Sequence, residues 1–96
     1  MLLLITYDVN TASAAGAKRL RKVAKLCERY GVRVQNSVFE VQVDAAQSIV
    51  LKAGLKDMID QENDSIRIYK LGNSFEHKIE TIGKTPRVQI GEALIL

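Results

Sequence analysis

The sequence predicts an α+β domain in which a sheet of short strands is covered by two helices. Three observations predict this class: an apolar run at the start of the chain, an amphipathic helical pattern over residues 18–30, and a second helical pattern followed by a strand over residues 44–71. We expect a single domain over residues 1–96, because so short a chain has no length for a second. Within it, residues 1–72 are expected to form the core and residues 73–96 a dimerisation segment.

The first strand is predicted over residues 1–7, where a nearly continuous apolar run is typical of a strand covered on both faces. Asp8 follows it directly. A carboxylate at the end of a rigid strand is well placed to bind a metal ion or to act as an acid–base group. The alternative is that Asp8 only caps the following loop or helix. Its position alone leaves both interpretations open.

The first helix is predicted after a small, polar loop over residues 10–16, with Thr11 or Ser13 as its start. Gly31 is expected to end it as a left-handed C-cap. The apolar positions recur at steps of three and four residues: Leu20, Val23, Ala24, Cys27 and Tyr30. Because Cys27 belongs to this apolar stripe, it is predicted to be a small core residue rather than a nucleophile.

Positive charge is concentrated in the same part of the chain. Residues 18–33 contain seven basic residues and one acidic residue, although the whole chain carries a net charge of only +3. This asymmetry suggests a polyanion such as nucleic acid as partner, and the alternative is a solvated helix face without a ligand. The candidate nucleic-acid-binding residues are Lys18, Arg19, Arg21, Lys22, Lys25 and Arg33.

Residues 33–43 are rich in Val and Phe, but their apolar residues change phase near Asn36–Ser37. The change predicts a bulge or bend between two short strands. Asp44 and Gln47 have the spacing of a capping box and predict the start of a second helix, which is expected to end near residues 61–63. A last core strand is predicted over residues 65–71, before Gly72-Asn73.

The predicted order of strand, helix, bent strand pair, helix and strand is that of a ferredoxin-like β-α-β-β-α-β sandwich with an antiparallel sheet. Two features follow this core: residues 80–83 have the pattern of a short strand, and residues 93–96 form an apolar, strand-like end. An exposed apolar edge strand would promote aggregation. We therefore expect the terminal strand to pair with the sheet of a second subunit in a two-fold dimer. The alternative is that it covers the sheet of its own subunit.

Several classes of site lack their signals in this sequence, including glycine-rich phosphate loops, zinc-ligand spacings and nucleophile triads. The apolar N-terminal run is too short to span a bilayer and has no signal-peptide flanks, so we expect a soluble, cytoplasmic protein without a membrane partner. His77 is the only histidine. It is interpreted as a surface residue, with proton transfer as the alternative.

The carboxylates remain as the chemical groups of interest. Metal-assisted phosphodiester hydrolysis needs a carboxylate on a hard cation such as Mg²⁺, together with positive charge around the phosphate. A single Asp8 is a poor metal site. Two copies of Asp8 meeting across a dimer axis would be an adequate one.

Four stretches of this sequence resemble the family of CRISPR-associated protein two, and they cover about the first three quarters of the chain. They are Tyr7-Asp8-Val9, Arg19-Leu20-Arg21-Lys22-Val23-Ala24, Arg33-Val34-Gln35-Asn36-Ser37-Val38-Phe39-Glu40, and residues 64–72. The third stretch is the most specific. The basic run and the Asn36-Ser37 pair look most like members from type I-C systems.

The resemblance implies a ferredoxin-like homodimer with Mg²⁺-dependent nuclease activity, or activity with another divalent cation such as Mn²⁺. The expected substrates are duplex DNA and single-stranded RNA. It also implies a scaffold role in spacer acquisition beside the CRISPR adaptation integrase. The family's metal-binding and catalytic aspartate falls on Asp8, and its other active-centre positions fall on Arg33, Ser37 and Phe39. Two other functions stay open: a non-catalytic ferredoxin-like interaction module, and a toxin-like ribonuclease.

Residues 33–39 allow competing interpretations at three positions. Phe39 is either a core aromatic residue or a residue that shapes a site beside Asp8. Ser37 shares its strand phase and is expected to orient water or phosphate. Arg33 is expected to contact phosphate rather than to pair with Glu28.

Overall fold

The computed structural model describes residues 1–74 and 77–84. Its elements follow the predicted order: β1 (Leu2–Asp8), α1 (Ala14–Glu28), β2 (Gly31–Gln35), β3 (Val38–Gln42), α2 (Ala45–Met58) and β4 (Ser65–Gly72). The strands form one sheet in the order β2-β3-β1-β4, and each neighbouring pair is antiparallel. This confirms the α+β class and the ferredoxin-like arrangement.

Strand β1 divides its side chains between the two faces of the sheet. Leu3, Ile5 and Tyr7 lie in the hydrophobic core, which also contains the apolar residues of α1 and α2. Since side chains alternate along a strand, Thr6 and Asp8 lie on the other face, where Thr6 is half-buried and Asp8 is exposed. We call this second face the open face, because both helices pack on the first.

Helix α1 begins where the sequence placed one of its two candidate caps. The Ser13 hydroxyl accepts a hydrogen bond from the Gly16 amide at 3.0 Å, so Ser13 is the N-cap rather than Thr11. Cys27 is fully buried on the inner side of the helix, and burial raises the pKa of its thiol to about 12. The prediction of a core cysteine is confirmed.

Gly31 corrects the predicted end of α1. The helix ends at Glu28 with Arg29 as its C-cap, and Gly31 is not among the glycines with a left-handed backbone. Instead Gly31 begins β2, where a Cβ atom would lie 1.8 Å from the Glu40 carbonyl oxygen. Glycine is needed here because β2 approaches β3 closely, and not because the helix needs a left-handed cap.

The bend predicted near Asn36–Ser37 is present. These two residues form the turn between β2 and β3, and the strand register shifts between Arg33 and Gln35. The capping box of Asp44 and Gln47 is also confirmed at the start of α2. Helix α2 ends at Met58, before the expected residues 61–63, because those residues belong to a turn around Asp60.

The predicted C-terminal strands have different outcomes. Residues 80–83 lie outside any strand, so the short strand expected there is wrong for this structure. The apolar end at residues 93–96, and with it the predicted strand exchange, falls outside the described residues. In the described ranges, no helix is both long enough and apolar enough to cross a membrane.

Candidate functional site

Asp8 is the last residue of β1 and pairs with Ser65, the first residue of β4. It does not cap α1, since Ser13 does so. Nor does it form the turn before the helix, because the Ala12 amide donates to the Asn10 side chain at 3.0 Å. Within residues 1–74 and 77–84, the Asp8 side chain has no hydrogen bond and no ion pair within 4.0 Å. The carboxylate is therefore exposed on a strand end with its ligand-binding capacity unused.

The strand end that carries Asp8 is fixed through the preceding residue, Tyr7. On one side the Tyr7 amide donates to the Ser37 carbonyl of the β2–β3 turn at 2.9 Å. On the other side the buried Tyr7 hydroxyl donates to the Asp64 carboxylate at 2.5 Å. Asp64 directly precedes Ser65, the strand partner of Asp8.

Asp64 is the centre of a cluster that also contains Tyr7 and Arg19. The Arg19 guanidinium donates twice to its carboxylate, through Nε at 2.8 Å and Nη2 at 3.2 Å. A fourth hydrogen bond comes from the Asp60 amide at 3.0 Å. The Asp64 side chain is 1% exposed and that of Arg19 is 23% exposed. We call Tyr7, Arg19 and Asp64 the Asp64 cluster.

The pKa shifts in the Asp64 cluster follow from these contacts. Hydrogen bonding from Arg19 lowers the pKa of the Asp64 carboxyl below its ordinary value, although burial opposes the effect. Burial, with the hydrogen bond to Asp64, raises the pKa of Tyr7 to about 12. At neutral pH Asp64 is therefore an anion, Tyr7 a neutral donor and Arg19 a cation whose charge is offset inside the protein.

The pairing of Arg19 separates it from the other predicted nucleic-acid-binding residues of α1. Four of them are exposed and follow the spacing i, i+3, i+4, i+7, which places them on one face of the helix, opposite the core. They are Lys18, Arg21, Lys22 and Lys25, and we call them the basic stripe. Within the described ranges, none of these four side chains has an ion-pair partner.

Arg33, Ser37 and Phe39 lie around the β2–β3 turn. Arg33 does not pair with Glu28: its Nε donates to the Asn36 carbonyl at 2.7 Å, and its guanidinium lies 5.8 Å from the centre of the Phe39 ring. Ser37 is half-buried and contacts the Asp8 strand through its carbonyl oxygen. Arg33 therefore stays close to the turn, with its side chain exposed.

Of the two interpretations of Phe39, a core aromatic residue or a residue that shapes a site beside Asp8, the position of its side chain agrees with the first. Phe39 is 0% exposed and pairs with Ile5, so its ring lies on the helix-covered face of the sheet. Asp8 lies on the opposite face, because side chains alternate between the two faces along β1 and Asp8 is three residues from Ile5. Phe39 packs in the core, and its contact with Arg33 supports the turn.

The open face contains neighbours of Asp8 that the sequence did not reveal. Thr6 pairs with Arg67, so Arg67 is the diagonal neighbour of Asp8 on the same face. Arg67 and Ser65 are both exposed. The alternation of residues 65–69 indicates that these two share a polar face. Only the strand register shows that this face includes Asp8.

The Asp8 carboxylate can bind Mg²⁺ only together with further ligands. A carboxylate oxygen is a suitable ligand, and Mg²⁺ is commonly held by one or two carboxylates together with water and phosphate. In the described ranges, no group of three or more acidic, histidine or cysteine side chains can hold a metal ion. Among the described residues, one chain offers the exposed carboxylate of Asp8 at this strand end. His77, the other candidate, is exposed in a turn after β4.

Comparison with known proteins gives consistent results. The family model for CRISPR associated protein Cas2 matches residues 1–79. A protein of Halalkalibacterium halodurans named CRISPR-associated endonuclease Cas2 is 57% identical over 95 residues, which cover 99% of both chains. One of Rhodospirillum rubrum, named CRISPR-associated endoribonuclease Cas2 3, is 50% identical over 95 residues, which cover 99% of this chain and 100% of the relative.

Solved structures agree with these sequence relatives. Streptococcus pyogenes Cas2, in a crystal structure at pH 6.5, superposes with a TM-score of 0.82 at 54% identity, covering 86% of this chain and all of that one. A further crystal structure described as cas2 superposes with a TM-score of 0.69 at 32% identity, covering 92% of each chain.

Proposed function

Because the chain belongs to the CRISPR-associated Cas2 family, we propose that it is a divalent-metal-dependent endonuclease that works as a homodimer. Asp8 carries this proposal: it is an exposed carboxylate without a side-chain partner in the described residues, on a strand end that is held on both sides. Similar proteins are named endonuclease and endoribonuclease, which supports phosphodiester cleavage as the reaction. Duplex DNA and single-stranded RNA are both candidate substrates.

The homodimer is supported by the edge of the described sheet. Strand β4 is an edge of the described sheet, and Tyr69 on the open face is 44% exposed. A strand at the edge of a sheet commonly gains stability by pairing with a partner strand. A second subunit would also bring a second Asp8, so the two requirements point to the same assembly.

The proposed chemistry assigns each group a limited role. A bound Mg²⁺ ion would activate a water molecule and offset the charge of the phosphate. Asp8 would hold that ion at the strand end. Arg67, two strand positions from the partner of Asp8, is placed to bind a phosphate oxygen from the same face. The half-buried Ser37 contributes by fixing the strand through its carbonyl oxygen.

A second role as a DNA-binding scaffold in spacer acquisition is proposed from the basic stripe. Four exposed cations on one helix face can follow a phosphate backbone without reading bases. This role needs the dimer and its two stripes but does not need cleavage. The CRISPR adaptation integrase is the proposed protein partner, and its support is the family membership.

The test of the nuclease is the substitution Asp8→Asn. It removes the charge that would hold the metal but keeps the shape of the side chain. We expect cleavage of duplex DNA or single-stranded RNA in Mg²⁺ to fall by roughly 100-fold or more, which corresponds to about 2.7 kcal/mol of transition-state stabilisation. Asp57→Asn is the matched control, because Asp57 is also an exposed carboxylate but lies on α2.

Equal cleavage by wild type and Asp8→Asn would reject Asp8 as the metal ligand. Cleavage that is independent of divalent ions would reject the metal-dependent mechanism. The dimer is tested separately by removing residues 86–96. We expect this truncation to weaken the dimer in equilibrium sedimentation, and an unchanged dimer would reject a role for that segment.

A further inference from the structure

Asp8 and the Asp64 cluster occupy adjacent positions on two neighbouring strands. Asp8 pairs with Ser65, Tyr7 precedes Asp8, and Asp64 precedes Ser65. The hydrogen bond from the Tyr7 hydroxyl to Asp64 therefore joins the residues immediately beside the Asp8–Ser65 pair. This is a side-chain connection at a place where the backbone pairing of β1 and β4 ends.

The Asp64 cluster also fixes the position of the helix that follows the loop after Asp8. That loop leads into α1, and Arg19 on α1 is tied back to Asp64 through two hydrogen bonds. Asp64 itself is held by the Asp60 amide in the turn before β4. Strand β1, the start of α1 and the start of β4 thus meet at one buried carboxylate, next to the exposed carboxylate of Asp8.

This arrangement matters because strand ends open more easily than strand centres. A metal ligand must stay within about 0.5 Å of its productive position. Asp8 has no side-chain contact in the described ranges that would hold it, so its position depends on the backbone beside it. The Asp64 cluster is the buried polar contact that fixes this backbone on the β4 side.

We propose that Asp64, acting through Tyr7 and Arg19, is a positioning residue that holds Asp8 in place for metal binding and cleavage. The inference rests on the proposed function of Asp8. Asp64 itself is not accessible to metal or substrate, since its side chain is 1% exposed and its carboxylate accepts hydrogen bonds from Tyr7 and Arg19. Its effect should therefore appear in the cleavage step and in metal affinity, and not in nucleic-acid affinity.

The primary test is Tyr7→Phe, which keeps the ring and its packing but removes the hydroxyl. We expect kcat in Mg²⁺ to fall roughly 10-fold, because a small misplacement of a catalytic group slows the reaction strongly, while KM for nucleic acid stays within about 2-fold. Mn²⁺ affinity, measured by electron paramagnetic resonance on the dimer, should weaken by a similar factor. Asp64→Asn keeps the shape of the side chain but removes its charge, and it should likewise lower kcat and Mn²⁺ affinity.

A control must separate positioning from loss of stability. Val41→Ala removes core volume from a fully buried residue opposite Leu3, roughly 16 Å along β1 from Asp8. All variants are assayed at a temperature where circular dichroism shows them fully folded. Under that condition we expect Val41→Ala to keep the wild-type kcat and Mn²⁺ affinity, although it should unfold at a lower temperature.

Three results would overturn the inference. Wild-type kcat and metal affinity in both folded Tyr7→Phe and folded Asp64→Asn would remove any positioning role. Equal losses in Val41→Ala and Tyr7→Phe would assign the effect to general stability. A change in KM alone would place the effect in nucleic-acid binding. Asp8→Asn, assayed beside them, separates these failures from failure of the proposed function, because only the latter leaves Asp8→Asn fully active.

Discussion

Two aspartates lie at the same end of neighbouring strands, and their surroundings are opposite. Asp64 is buried, directly precedes β4, and accepts hydrogen bonds from Tyr7, Arg19 and the Asp60 amide. Asp8 is exposed and has no side-chain partner in the described parts of the chain. A carboxylate whose bonding capacity is used inside the protein stabilises structure, whereas one left unused on a rigid strand is available to a ligand.

The cations of α1 divide in the same way. Arg19 is paired with Asp64, while the basic stripe has no ion-pair partner in the described ranges. The contrast therefore extends from two aspartates to two sets of charges, one offset within the fold and one available to a partner.

The largest expected effect is on nucleic-acid binding by the basic stripe. Replacing Lys18, Arg21, Lys22 and Lys25 by Gln should weaken duplex binding by roughly 100-fold near 0.1 M salt, because contacts with phosphate are lost. The slope of log affinity against log salt should also become shallower, by about 0.9 for each lost contact. Titration by fluorescence anisotropy at several salt concentrations measures both quantities. Arg19→Gln is the comparison: its charge is already offset, so we expect a smaller change in binding and in slope, with a lower melting temperature.

Arg21→Gln, a single change within the basic stripe, is the matched comparison, and an equal loss of affinity from Arg19→Gln and Arg21→Gln would contradict the division of cations. In that case the ion pair with Asp64 would not prevent Arg19 from contacting phosphate.

The next effect is on stability and compares the two aspartates directly. Asp64→Ala leaves Arg19 and the Tyr7 hydroxyl without their acceptor, and we expect a loss of about 2 kcal/mol in the free energy of unfolding. That loss is roughly a 30-fold change in the folding equilibrium. Asp8→Ala should change it by less than about 0.5 kcal/mol, because an exposed side chain without partners is removed. Urea unfolding monitored by circular dichroism compares the two, and similar losses in both would reject the contrast.

Sequence patterns predicted most of this fold because periodicity, caps and turn residues act locally. The capping box at Asp44 and the bend at Asn36–Ser37 are examples. Gly31 was misassigned because a helix C-cap and a close approach between strands both favour glycine, and the sequence shows only the residue.

The candidate site was predicted less completely, since its contacts are distant in sequence. Arg19 and Asp64 are 45 positions apart, and no local pattern indicates that they pair. Arg67 is a neighbour of Asp8 only through the register of β1 with β4. Phe39 was linked to a site beside Asp8 only through the family resemblance, whereas its residue type alone also allowed the core position that the structure shows. Asp8 itself was recognisable because it ends an apolar strand.

A smaller effect on cleavage is expected when a cation of β4 is replaced, and its size should depend on the face of the sheet that carries the cation. Arg67 and Lys70 are both exposed on this strand, but Arg67 pairs with Thr6 on the open face and Lys70 pairs with Leu3 on the other face. Arg67→Gln should lower kcat/KM for cleavage by about 10-fold through loss of one phosphate contact, or about 1.4 kcal/mol. Lys70→Gln removes the same charge and should change it by less than about 2-fold. Equal effects would mean that net charge, and not position beside Asp8, determines cleavage.

The smallest expected effect is on stability in acid, and it depends on the ionisation of Asp64. Its pKa in the folded protein is lowered chiefly by the hydrogen bond from Arg19, while in the unfolded chain it is about 3.9. Between these two values the unfolded state binds more protons, so stability rises with pH there. The contribution is complete above the unfolded pKa and is lost as pH falls through the folded pKa.

Asp64→Asn isolates this contribution, because Asn keeps the shape of the side chain but cannot ionise. We expect wild type to unfold in urea at a higher midpoint than Asp64→Asn at pH 6, and we expect the gap to narrow steadily below pH 4. A gap that stays constant down to pH 2 would show that the Asp64 charge adds nothing beyond its hydrogen bonds. A narrowing gap would show that Asp64 owes its structural role to its charge, which Arg19 offsets. Asp64 and Asp8 would then differ in whether a cation of the protein offsets the charge of the carboxylate.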